Sequence, residues 1–91
     1  MEKIYESIEC YEKSLELYSY NKYAWYKLGV AILELHGFKD AIECFDEVLK
    51  ADSECVSALI FKGDALQRLG KKQEAIECYC KALKIDPHKR N

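Results

Sequence analysis

The decapeptides "IECYEKSLEL" (8–17), "IECFDEVLKA" (42–51) and "IECYCKALKI" (76–85) are near copies of one another, and each begins 34 residues after the last. A fixed interval between similar segments restricts the fold more than any single motif does. Each copy must be one supersecondary unit that meets the same kind of neighbour as the others.

Within the copies the apolar residues keep a helical period. Ala41, Ile42, Phe45, Val48 and Leu49 form one stripe, and Ala75, Ile76, Tyr79, Ala82 and Leu83 repeat it. Between the copies, Trp25, Leu28, Gly29, Ile32 and Leu35 make a second kind of stripe, answered by Leu59, Gly63, Leu66 and Leu69. Asn21 and Ser53 are placed to cap the helices that follow them. Gly37 and Gly70 are placed to stop the helices before them, because glycine takes the left-handed conformation at little cost. The pattern predicts five helices, over roughly 2–18, 22–36, 39–51, 54–69 and 73–85. Short turns make neighbours antiparallel. No segment has the period of a strand, so the fold class is all-α. Two closely packed helices need a small residue where their backbones approach, and Gly29 facing Ala41 and Gly63 facing Ala75 would supply it.

The 91 residues suit one small domain, with no apolar run long enough to span a bilayer and no secretory leader pattern at the N-terminus. The net charge of −2 gives no reason to expect a nucleic-acid or membrane partner. It is unevenly spread: −3 over residues 1–21, −3 over 22–55 and +4 over 56–91. Such a spread is either solvated helix faces or an end-to-end field that orients a partner or a second copy.

Chemistry is hard to find. Of the five cysteines, Cys10, Cys44 and Cys78 fall at the repeat interval, so the repeat explains them. Cys78 and Cys80 are two apart on a helix and point to nearly opposite sides, which does not suit a shared metal. With Cys55 they read as reduced thiols of a cytoplasmic protein. His36 stands at a helix end and His88 is isolated. No phosphate loop, nucleophile motif or isolated carboxylate pair is present. The expectation is a chain with no catalytic residues, no metal and no cofactor.

These residues resemble the tetratricopeptide repeat, whose pattern W-x2-L-G-x2-Y, A-x3-F, P recurs every 34 residues. Trp25, Leu28, Gly29 and Ile32 fit its first helix, and Ala41 and Phe45 its second. Leu59, Gly63, Leu66, Ala75, Tyr79 and Ala82 repeat the register, and Asp86-Pro87 closes it. Departures are Lys62 for Leu, Ser53 for Pro, and Ile32 and Leu66 for Tyr. The resemblance divides the chain into a second helix (1–21) and two full repeats (22–55 and 56–91), with Ser7 and Ser14 standing where Ala41 and Val48 stand later.

The resemblance implies a right-handed α-α superhelix with a concave groove for a protein or peptide partner. Its groove positions fall on Tyr23, Tyr26, Lys27, Val30, Leu33 and Glu34 in the first full repeat. In the second they fall on Ser57, Ile60, Phe61, Asp64, Gln67 and Arg68. Tyr23, Tyr26 and Phe61 either present this face to a partner or brace neighbouring helices. Some members of the family hold a partner's C-terminal carboxylate with Lys, Asn and Arg. Here Val30 and Asp64 stand where Asn would be wanted, so an apolar-aromatic peptide or helix is expected instead.

About two and a half repeats are present, and arrays of this kind usually need about three with polar caps. The chain is therefore expected either to belong to a longer array or to close its open sides with another copy. For the latter, Ile4, Ile8, Tyr11 and Leu15 of the first helix lack their usual partner, and helix 73–85 lacks a neighbour along one side. Head-to-tail continuation would juxtapose two second helices, which a two-fold homodimer, or an exchange of helices between chains, would avoid.

Overall fold

The computed structural model describes residues 2–18 and 21–84. Among these are five helices and no strand: α1 (Glu2–Leu17), α2 (Lys22–Glu34), α3 (Phe38–Ala51), α4 (Val56–Arg68) and α5 (Lys72–Leu83). Each packs on its neighbours in sequence, and α2 also touches α4. The molecule measures 45 × 26 × 16 Å, the elongated shape of stacked hairpins. The closing Asp86-Pro87, His88 and the expected helix end at Ile85 lie outside the described residues.

The core follows the stripes. Ala41, Phe45, Val48 and Ala58 have no exposed surface, and Trp25, Ile32 and Leu49 pack against them. A second cluster joins Leu66, Ala75 and Cys78, with Ile42 and Tyr79 against it. Gly29 and Gly63 do mark close approaches, and the atoms nearest to them are ring atoms of the facing helix. A Cβ on Gly29 would lie 2.8 Å from Phe45 Cε1 and 3.1 Å from Cys44 Cβ, nearer than any atom of Ala41. One on Gly63 would lie 2.8 Å from Tyr79 Cε1. A helical side chain leans over the turn N-terminal to its own Cα, which brings each ring toward the level of the alanine one turn before it.

The caps also depart in part from expectation. Asn21 Oδ1 accepts a hydrogen bond from the Ala24 N–H at 3.1 Å, as a cap should. Ser53 does not cap α4. Asp52 Oδ1 accepts from the Glu54 N–H at 3.2 Å and turns the chain there, so the N-cap is Cys55, whose side chain caps nothing. Gly70 takes the left-handed conformation (φ 81°), but after α2 this falls to His36 (φ 64°), with Gly37 opening α3 at φ −84°. Gly37 is needed for space: a Cβ there would lie 2.7 Å from Ile32 Cγ2. Lys62, out of place by the repeat pattern, pairs with Asp46 and ties α4 to α3.

Candidate functional site

The residues expected to line a groove come from α2 and α4, and the structure sorts them by depth. Tyr26, Lys27, Val30 and Leu33 are half-buried, as is Phe61. Tyr23 and Ile60 are exposed, at 62 % and 36 % of their surface. Glu34, Ser57, Asp64, Gln67 and Arg68 are exposed.

Three rings from three helices form the floor between α2 and α4. Phe45 stacks on Phe61 with centroids 5.7 Å apart and planes at 17°. Tyr26 meets Phe45 edge-on at 6.3 Å and Phe61 at 5.9 Å. Such contacts strengthen burial beyond area alone. Tyr26 and Phe61 therefore brace the helices, while Tyr23 stays free of the core.

Two hollows take in seven of the expected residues. Leu33, Asp64, Gln67 and Arg68 line one of about 350 Å³ together with His36 and Phe38, two residues the repeat pattern did not single out. Lys27, Val30 and Glu34 line the other, of about 280 Å³, with Ala31 and α1 residues that include Ile4, Ser7 and Tyr11. Tyr23, Ser57 and Ile60 line neither. Of the α1 residues expected to seek another copy, Ile4, Ile8, Tyr11 and Leu15 are all half-buried, and α2 is the helix that α1 touches.

The charges on this face rest on rings. Lys27 Nζ lies 5.4 Å from the Tyr23 centroid and 5.9 Å from that of Tyr26. The Arg68 guanidinium lies 5.5 Å from the Phe38 centroid, and His36 stacks on the same ring at 5.6 Å. Neither cation is ion-paired to a described residue. Asp64 is held from behind: the Tyr79 hydroxyl of α5 donates to its carboxylate, with Gln67 Oε1 3.2 Å from the same hydroxyl. Burial and then this bond push the Tyr79 phenol up to about 12. No sequence signal marked that link, because Asp64 and Tyr79 belong to stripes facing different ways.

Elsewhere the surface offers little chemistry. Among the described residues no group of His, Cys, Asp and Glu is arranged to hold a metal, and no helix is long and apolar enough to cross a membrane. Cys44 is buried, and burial followed by nearby acids pushes its thiol up to about 12, which makes it a poor nucleophile.

Comparison with known proteins agrees with this geometry. A MamA crystal structure is 25 % identical with a TM-score of 0.81 over 85 % of this chain and 45 % of its own. Another MamA structure is 22 % identical, with a TM-score of 0.86 over 98 % and 49 %. This chain thus spans about half the length of the MamA chains it matches. The second TPR of Spaghetti (RPAP3), solved bound to HSP90 peptide SRMEEVD, is 23 % identical with a TM-score of 0.87 over 92 % and 78 %. No curated protein matches the sequence. The tetratricopeptide-repeat profile matches residues 26–89, which span both glycine–ring crossings and the aromatic floor. The chain belongs to the tetratricopeptide-repeat family, whose fold is typical of protein–protein interaction modules.

Proposed function

We propose that the face between α2 and α4 receives an apolar-aromatic segment of a partner protein, without catalysis. The observation that carries this is the division of labour among the aromatics. Tyr26 and Phe61 fix the floor, while Tyr23 and Ile60 keep their surface free beside it. Exposed aromatic and apolar residues on a rigid floor are what interface energy concentrates on. Lys27 and Arg68 already lie against rings and can take a partner's ring or carbonyl in the same way.

The HSP90 peptide of the RPAP3 neighbour is not carried over. Val30 offers it no hydrogen bond, and the Asp64 carboxylate, fixed by Tyr79, opposes an acidic tail.

Isothermal titration with synthetic peptides tests the reading. A panel of apolar-aromatic peptides should contain binders, and SRMEEVD should bind more weakly than they do. The double substitution Tyr23→Ala with Ile60→Ser touches exposed side chains. It should weaken binding by roughly tenfold or more while leaving the melting temperature unchanged. Unchanged affinity in that variant, or no binder in the panel, refutes the proposal.

A further inference from the structure

The three decapeptides occupy equivalent places but not equivalent surroundings. The pairs Ile8 and Leu15, Ile42 and Leu49, and Ile76 and Leu83 sit at the same positions in successive copies. The first two pairs are half-buried. Ile42 lies against the cluster of Leu66, Ala75 and Cys78, and Leu49 against the cluster that holds Ala58 of α4. On α5 the same two positions are exposed, Ile76 at 45 % and Leu83 at 63 %. Nothing among the described residues covers them.

The residue between them differs as well. It is Glu12 in the first copy, Asp46 in the second and Cys80 in the third. Asp46 is answered by Lys62 of the next helix. On α5 the acid is gone. Ile76, Cys80 and Leu83 (i, i+4, i+7) run as an uncharged stripe along one face.

We propose that a second copy of this chain covers the stripe, with two α5 helices antiparallel about a two-fold axis near Cys80, so that, contrary to the expectation from the repeat order, two second helices meet. A two-fold contact places the central residue opposite itself. Two acids there would repel, whereas two thiols are accepted. The same axis brings Ile76 of each copy to Leu83 of the other. The flanking charges agree with it. Glu77 lies on one flank of the stripe within α5, and Lys84, the left-handed C-cap (φ 55°), ends the helix seven residues later, on the other side of the centre. An antiparallel pairing therefore brings Glu77 of each copy toward the helix end where Lys84 of the other sits, within reach of a long lysine side chain, and two opposite-charge pairs of this kind favour that orientation. Lys84 has only the loose partner Glu54, at 3.9 Å between exposed groups, to give up. The contact uses α5 and leaves the α2–α4 face clear, so it stands or falls separately from the function proposed above.

Analytical ultracentrifugation of the full chain, in reductant and over a dilution series, tests the proposal. The wild type should sediment as a reversible monomer–dimer system. Ile76→Glu and Leu83→Glu alter exposed side chains and should each weaken the dimer by roughly tenfold or more with unchanged helicity. Glu77→Lys should weaken it by roughly three- to tenfold, and adding Lys84→Glu should restore it. With Cys10 and Cys55 replaced by Ser, mild oxidation should cross-link pairs of chains, and further replacement of Cys80 should abolish the cross-link. A monomer at all concentrations overturns the proposal and leaves the stripe to a helix of another protein or of a longer array. A dimer indifferent to Ile76→Glu and Leu83→Glu also overturns it and places self-association on another face, such as α1.

Discussion

The helix pairs α2–α3 and α4–α5 are built to one pattern, yet they close differently. In each, a glycine on the first helix admits a ring from the second at the same would-be Cβ distance of 2.8 Å. Phe45 has no exposed surface and lies under Tyr26 and Phe61. Tyr79, its counterpart, is half-buried and its hydroxyl reaches Asp64. The cause is position in the stack. The pair α2–α3 has helices on both sides, whereas among the described helices α5 touches α4 alone. In a stacked array a residue's burial is set by its neighbours as much as by its own place in the repeat.

The strongest way to break this comparison is to truncate the two rings. Phe45→Ala should cost about 3–5 kcal/mol, because the cavity would open at the centre of the core. Tyr79→Ala should cost distinctly less, and equal urea midpoints would end the distinction. The glycines give the next largest contrast. Gly29→Ala meets a ring that cannot move and should cost about 1–3 kcal/mol, measured by thermal melting. Gly63→Ala should cost less, since Tyr79 can swing outward once its hydroxyl lets go of Asp64.

The turns sharpen it further. Gly70→Ala places a Cβ in the left-handed region and should cost about 1 kcal/mol, whereas His36→Gly relieves the same conformation and should be neutral or stabilising. The smallest effect is alkaline. Tyr79 ordinarily titrates at 10 and in the fold at about 12, so its share of stability is complete below pH 10 and is lost as the pH rises through 12. Cys44, moved from 9 to about 12, adds a loss that begins lower. Tyr79→Phe should therefore flatten the decline of the urea midpoint above pH 10 and leave the decline below it in place.

The helices and their order were legible because a 34-residue interval and a 3.6-residue period act over the whole chain. Depth was not. The period assigns Tyr26 and Phe61 to a face but cannot say that two rings will lie on a third, since that depends on how far apart α2 and α4 stand. Local stops were misplaced where two glycine roles coincide. Gly37 looks like the counterpart of Gly70, yet the interval itself points to His36, and the structure follows the interval. The cap of α4 failed for a different reason: Ser53 and Asp52 compete for the same turn, and the side chain of Asp52 wins. Of the expected groove residues, Leu33, Asp64, Gln67 and Arg68 share one hollow and Lys27, Val30 and Glu34 another, while Tyr23, Ser57 and Ile60 line neither. Phe38 and His36 join the first of these hollows through the turn after α2, and neither is a groove position that the repeat pattern singles out.

One consequence follows from α1. None of its side chains from Lys3 to Leu17 is fully buried, and among the described helices it leans on α2 alone. A molecule held together by successive adjacency has no single centre whose loss melts everything at once. It should unzip from its weakest margin, so amide protons in α1 should exchange with solvent ahead of those in α3 and α4, well before the chain as a whole comes apart.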